Sequence, residues 1–126
     1  MTKKILLIDD EMDFITVMQL RLQANGYTVI TAYTGEEALR KIKEEKPDAL
    51  LLDIMLPGED GLSILKKIRQ ENQNIPVFMM TAFSNEERYS VANKLNASGF
   101  ILKTSELQKE VQKITAILAL ADEKKA

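Results

Sequence analysis

Cysteine and histidine are both absent from the 126 residues, and together the two gaps close off much chemistry. Without cysteine there is no disulfide framework and no thiolate metal site. Without histidine there is no Ser-His or Cys-His relay, no imidazole ligand and no phosphohistidine within the chain. Whatever chemistry occurs falls to carboxylates, hydroxyls, lysine or a bound metal. No apolar run approaches the roughly 18 residues of a membrane span, and the start is not signal-like, so neither membrane insertion nor export is expected and the cytoplasm is the expected compartment. Basic residues are nowhere gathered into a face: the net charge is −2 with acids and bases interspersed, and Lys3-Lys4 and Lys124-Lys125 read as solvated ends. Direct binding to nucleic acid is therefore not expected. Repeats, linkers and low-complexity tracts are also missing. Residues 1–126 read as one domain, with a core over about 4–121 and a short charged tail at 122–126, long enough to bury about two thirds of its unfolded surface.

What is present begins with Ala49-Leu50-Leu51-Leu52-Asp53, an apolar run too short for a helix and bounded by Lys46-Pro47-Asp48. Such a run reads as a strand buried on both faces, in the middle of a parallel sheet. Asp53 stands at its end, where Pro57, Gly58, Asp60 and Gly61 begin a loop. Ile5-Leu6-Leu7-Ile8 is a similar run that stops at Asp9-Asp10-Glu11. A helix from about Met12 to Asn25 is predicted from Phe14, Ile15, Val17, Met18 and Leu22, ended by Gly26. Tyr27 to Ala32 is β-branched and reads as a strand. Thr34 and Glu37 form a capping box for a helix with Ala38, Leu39 and Ile42 facing inward. Asp60 caps a third helix over Leu62, Leu65 and Ile68. Pro76 opens the strand Val77 to Met80, ending at Thr81. Ser84 to Glu87 is a second capping box, for a helix of thin apolar content (Tyr89, Val91, Ala92, Leu95) that is expected to be the most loosely held. Phe100-Ile101-Leu102 ends at Lys103, and Ser105 with Gln108 caps a last helix with the stripe Leu107, Val111, Ile114, Leu118 and Ala121. Ile117 and Leu120 lie outside that stripe and mark either the packed end of the helix or a docking face.

Strand and helix thus alternate through five units, which requires right-handed crossovers and an α/β fold with helices on both faces of a parallel sheet. Parallel strands bring their C-terminal ends to one edge, so Asp9, Asp10, Asp53, Thr81 and Lys103 should meet in one crevice. Carboxylates crowded there share protons or hold a cation, and Mg²⁺ suits oxygen ligands completed by water and phosphate. The plainer alternative is that Asp9, Asp10 and Glu11 only favour the positive end of the next helix. With a metal neutralising phosphoryl oxygens, Asp53 is the natural nucleophile and forms an acyl phosphate. Lys103 and Thr81 suit the equatorial oxygens.

The set Ile8-Asp9-Asp10-Glu11, Leu52-Asp53-Ile54-Met55-Leu56-Pro57-Gly58-Glu59-Asp60-Gly61, Met80-Thr81-Ala82 and Gly99-Phe100-Ile101-Leu102-Lys103 closely resembles the receiver domain of bacterial two-component response regulators, of the chemotaxis-regulator type. The resemblance runs from about Lys4 to Ala121. It implies a flavodoxin-like (βα)5 fold with strand order 2-1-3-4-5. It also implies Asp53 as phosphoacceptor, Asp10 as a direct Mg²⁺ ligand with Asp9 acting mainly through water, and the Met55 carbonyl in the metal shell, with Mn²⁺ as a substitute ion. Thr81 and Lys103 would bind the phosphoryl group, and Phe100 would be the aromatic whose rotamer follows Thr81. Met55, Ala82 and Phe83 would flank the phosphoryl group. The donor would be a histidine kinase or phosphotransfer protein, and the recipient of the signal a downstream effector or output domain, with the chain a monomer or a phosphorylation-dependent dimer. Such a chain catalyses only its own phosphorylation and dephosphorylation.

A departure from the family is Lys103-Thr104, where the lysine is usually followed by a cis proline. A cis bond before Thr would cost about 2.5–4 kcal/mol, so a trans bond is predicted. Met55 and Phe83 are apolar and cannot orient an attacking water, which predicts a long-lived acyl phosphate. An aspartyl-phosphate phosphatase would need a second acid at position 55, which is Met. A nucleotide or flavin binder would need a Gly-rich turn after the first strand, where the chain is acidic. A receiver-shaped module that binds a partner without phosphorylation is the remaining alternative.

Overall fold

The computed structural model describes residues 2–82 and 86–125. In chain order the elements are β1 (Lys4–Ile8), α1 (Met12–Ala24), β2 (Thr28–Ala32), α2 (Gly35–Glu45), β3 (Ala49–Asp53), β4 (Met55–Leu56), β5 (Glu59–Asp60), α3 (Gly61–Glu71), β6 (Val77–Thr81), α4 (Glu86–Lys94), β7 (Gly99–Leu102) and α5 (Leu107–Lys125). Five strands form one sheet in the order β2-β1-β3-β6-β7, and every neighbouring pair is parallel. Numbered within that sheet alone, this is the order 2-1-3-4-5 that the resemblance implied.

The continuous apolar runs have a direct structural reason. Successive side chains of a strand point to opposite faces, so a strand covered on both sides divides its run between two cores. Leu6, Ile8, Leu50, Leu52, Val77 and Met79 pack with Ala38 of α2, Ile64, Leu65 and Ile68 of α3, and Ala92 of α4. On the other face, Ile5, Leu7, Leu51, Phe78, Met80 and Ile101 pack with Ile15, Met18 and Leu22 of α1 and with Val111, Ile114 and Leu118 of α5. Each large aliphatic or aromatic side chain among these adds roughly 1.5–3 kcal/mol by leaving water, and the three central strands β1, β3 and β6 carry most of them.

Local signals set the helix ends. The Thr34 hydroxyl accepts from Glu37 N–H at 3.1 Å, and the Glu37 carboxylate accepts from Tyr33 N–H at 2.8 Å, one residue before the position a capping box ordinarily satisfies. Asp60 caps α3 through Leu62 N–H at 2.9 Å. Gly26, at φ +92°, supplies the left-handed residue after α1. The last helix begins at Leu107, with the Glu106 carbonyl accepting from Glu110 N–H at 3.3 Å, one residue later than Ser105 predicted.

Some side chains sit otherwise than expected. Val17 is exposed, because the buried stripe of α1 is Ile15, Met18 and Leu22. Ile64 is fully buried and joins the α3 core. The second apolar set on α5 divides: Ile117 packs against the core while Leu120 is exposed. Residues 55–60, read as plain loop, contain the antiparallel pair β4-β5. In α4, Ala92 is the buried residue, which agrees with its thin apolar content; Ser84 of its predicted capping box lies outside the described residues.

Arg69 is buried at the end of α3, and among the described residues no carboxylate pairs with it. Its guanidinium donates to the carbonyls of Leu95 (3.0 Å), Asn72 (3.1 Å), Ile75 (2.7 Å) and Asn96 (2.7 Å). Two of these are carbonyls at the C-terminus of α4, where Asn96 is left-handed at φ +59°; such groups have no partner within their own helix. Arg69 therefore ties the end of α3 to the end of α4. Among the described residues no helix is long and apolar enough to cross a membrane.

Candidate functional site

The C-terminal edge of the sheet gathers its polar residues from separate strands. Ile8 stands opposite Leu52 in register and Asp53 opposite Met80, so Asp9, just past β1, comes beside Asp53 at the end of β3. Thr81 ends β6 opposite Leu102, which puts Lys103 next in line. Backbone bonds hold these ends level: Asp9 N–H to the Ala32 carbonyl (3.1 Å), Ile54 N–H to Met80 (3.0 Å) and Lys103 N–H to Thr81 (2.9 Å).

Gly61 makes the approach of the acceptor loop possible. Its N–H donates to the Ile54 carbonyl at 2.6 Å, and a Cβ at this position would lie 2.2 Å from the Asp53 carbonyl oxygen. A side chain there would push the Asp53 backbone aside. The requirement is for space against a neighbouring backbone.

Asp9, Asp10 and Asp53 each offer a carboxylate oxygen, and the three atoms lie within 4.8 Å of one another. Asp9 is fully buried and Asp53 nearly so, while Asp10 is exposed. Asp9 Oδ1 accepts from Glu11 N–H at 3.0 Å and Asp53 Oδ1 from Met55 N–H at 3.0 Å. Among the described residues Asp9 Oδ2 has no hydrogen-bond partner, and it forms an ion pair with Lys103 Nζ at 2.9 Å. Lys103 Nζ also stands 3.3 Å from Asp53 Oδ2 and bonds the Glu11 carboxylate. The lysine side chain is only 6% exposed, so its charge is committed to this cluster. Phe14 lies against it, with the ring centroid 4.7 Å from Nζ.

These contacts set the protonation of the site. Burial pushes the Asp53 carboxyl up from 3.8 to about 6, and the neighbouring Asp9 charge adds to the rise, against the Met55 N–H and the Lys103 ammonium. For Lys103, burial works to lower the pKa, but the bond to Glu11, the ion-pair contact with Asp9 and the charge of Asp53 outweigh it and hold the ammonium protonated. One positive charge thus faces Asp9, Glu11 and Asp53, with Asp10 at the rim. The cluster retains net negative charge and a buried oxygen without a hydrogen bond, the donor set of a hard divalent cation. Among the described residues the Glu11 side chain makes no capping bond to α1 and turns to Lys103.

Of the predicted site residues, Asp9, Asp10, Asp53 and Lys103 converge, and Thr81 and Ala82, both half-buried, close the adjoining strand end. Met55 is exposed at the rim. Phe100 stands apart from the acids: it packs on the core of the α4 face, with its ring 4.3 Å from that of Tyr89 and inclined by 38°. Phe83 lies outside the described residues. No peptide bond among the described residues is cis, so Lys103–Thr104 is trans as Thr104 predicted. Arg88 of α4 pairs with Asp60 at 3.2 Å, linking α4 to the loop beyond Asp53.

The sequence reading passed over Phe14 as a site residue, because at helical spacing it reads only as core. It also passed over Arg69, although position 69 follows Leu65 and Ile68 on the buried stripe of α3, and a charge on an apolar stripe is a signal that could have been used.

Compared with known proteins, residues 5–115 match the response regulator receiver domain. Over 118 residues the chain is 41% identical to the alkaline phosphatase synthesis transcriptional regulatory protein PhoP of Bacillus subtilis (strain 168), covering 94% of this chain and 49% of that protein. It therefore spans about half the length of this curated relative. Among solved structures, a CheY-like receiver domain protein from Methanospirillum hungatei JF-1 superposes with a TM-score of 0.92 at 27% identity, covering 98% of this chain and 99% of that one. The BeF3-activated N-terminal receiver domain of RstA from Klebsiella pneumoniae gives 0.85 at 30% identity, covering 91% and 97%. The chain belongs to the response regulator receiver domain family, the module of two-component systems.

Proposed function

We propose that this chain is a phosphorylation-activated switch whose acceptor is Asp53. The observation that carries the reading is the placement of Asp53: buried at a strand end, 3.3 Å from Lys103, and sharing an oxygen cluster with Asp9 and Asp10. Mg²⁺, or Mn²⁺ in its place, would be held by Asp10 and Asp53, by Asp9 mainly through water, and by the Met55 carbonyl. When bound, it supplies charge neutralisation of the incoming phosphoryl oxygens.

Asp53 attacks the phosphorus of a partner's phosphohistidine. The P–N bond breaks, an acyl phosphate forms on Asp53, and the imidazole leaves with a proton. Lys103 and the Thr81 hydroxyl bind equatorial oxygens of the transferred group. Phosphorylation turns a single charge into nearly two with three strong acceptors. Thr81 then moves toward the phosphoryl group, Phe100 follows into the vacated space against Tyr89, and the face of α4, β7 and α5 changes. Swinging a two-state equilibrium across its range takes about 5.5 kcal/mol, which a few charge-assisted bonds of roughly 1.5–3 kcal/mol supply. Activation of the Klebsiella relative by BeF3 supports the same chemistry here.

The donor is a histidine kinase or phosphotransfer protein, and the changed face meets a downstream effector or output domain, as the regulatory name of the PhoP relative suggests. Residues 1–126 act as one receiver in the cytoplasm, as monomer or phosphorylation-dependent dimer, without touching nucleic acid directly and catalysing only their own phosphorylation and dephosphorylation. Incubation with Mg²⁺ and acetyl phosphate, read by intact mass, tests the reading. One added phosphoryl group, absent from Asp53→Asn and lost with a half-life well beyond seconds, is expected. No addition would leave an interaction module that is never phosphorylated.

A further inference from the structure

Phe14 is an uncharged neighbour of Lys103 that the chemistry above leaves unused. The lysine ends in a point charge on a flexible four-carbon stem, and it must present that charge to a group on Asp53. Its carboxylate partners, Asp9, Glu11 and Asp53, do not pull on it with constant strength. A divalent cation on Asp9, Asp10 and Asp53 cancels most of their attraction, and a phosphoryl group on Asp53 then adds nearly two negative charges. The ring of Phe14, 4.7 Å from Nζ, attracts the ammonium through its quadrupole and neither titrates nor binds metal. Thr104, in place of the family's usual proline, leaves the lysine without a rigid successor.

We propose that Phe14 is a positioning residue that keeps Lys103 Nζ beside Asp53 while the charges around it change. Glu11, the extended residue just before α1, completes the cradle from its exposed side through its own contact with Lys103. The inference rests on the reading that Lys103 binds the transferred phosphoryl group.

Three variants of the full chain test it: Phe14→Leu, which keeps an apolar side chain but loses the quadrupole; Phe14→Tyr, which keeps the aromatic face; and Lys103→Met. Two readouts are taken, the initial rate of acetyl phosphate modification at saturating Mg²⁺ and the carbon and proton shifts of the Lys103 ε-methylene. Phe14→Leu is expected to slow modification by about 3- to 10-fold and to abolish the ring-current displacement of the lysine signal. Phe14→Tyr is expected to restore both. If the leucine variant does not fold, Phe14→Met is scored in its place. Modification at the parent's rate, or an unmoved lysine signal, in the variant without an aromatic ring overturns the inference. A parent chain that is never modified, or a Lys103→Met variant modified at the parent's rate, sinks the underlying reading instead.

Discussion

Buried charge occurs at both edges of the same sheet, and the two edges treat it in opposite ways. Where β6 and β7 begin, the Arg69 guanidinium is shared among four backbone carbonyls; burial lowers its pKa, yet its donors are well used. Where β1 and β3 end, Asp9 keeps an oxygen without a hydrogen bond among the described residues, Asp53 is driven toward its neutral form, and one lysine faces Asp9, Glu11 and Asp53. A buried charge whose bonds are complete holds elements together, whereas one left incomplete costs stability until a ligand arrives. The first edge fixes the C-terminal end of α4, and the second is poised to change.

The largest stability effect should come from breaking the complete edge. Arg69→Met is expected to destabilise the chain by about 3–5 kcal/mol, since it strips several charge-assisted bonds from buried carbonyls. Chemical denaturation checks this, with the midpoint falling at unchanged slope; a loss below about 1 kcal/mol would mean that water replaces the guanidinium easily.

Changing the incomplete edge should have the opposite sign. Folding raises the Asp53 pKa from 3.8 to about 6, so across that window the folded chain holds a proton that the unfolded chain releases. Stability contributed by this group is present below the lower value and lost as pH rises through the upper one. Asp53→Asn in metal-free buffer at pH 7–8 is therefore expected to gain on the order of 1–3 kcal/mol and to flatten that part of the pH profile. Added Mg²⁺ should raise the parent's melting temperature by mass action and leave the variant's nearly unchanged. A destabilised asparagine variant would show that the acids support the fold.

The smallest effect belongs to a charge at neither extreme. Arg88 and Asp60 form a partly exposed pair at 3.2 Å, and Arg88→Ala is expected to cost less than about 1 kcal/mol. A larger loss in thermal melts would place the N-terminal half of α4 under a restraint comparable to that of Arg69.

The same contrast explains what the sequence could tell. The strands were legible because four-residue apolar runs such as Leu6-Leu7-Ile8 after Ile5 leave few alternatives, and the parallel order then carried Asp9, Asp53 and Lys103 to one edge. The acids were legible because carboxylates that end buried strands are conspicuous. Arg69 was legible only as a charge on the buried stripe of α3; the four carbonyls that later chain segments bring to it were not. Phe14 was not, since its ring meets Lys103 only after a separation spanning most of the chain. The β4-β5 pair was hidden by Pro57 and Gly58, which signal a turn without revealing that the flanking residues pair.

The most direct measurement traps the modified group chemically. After exposure to acetyl phosphate and Mg²⁺, borohydride reduction converts an acyl phosphate to the corresponding alcohol, and peptide sequencing by mass spectrometry locates the altered residue. Homoserine at position 53 and at no other acid is the predicted result. An unreduced Asp53, with the label on a hydroxyl residue, on Asp9 or Asp10, or nowhere, would contradict it.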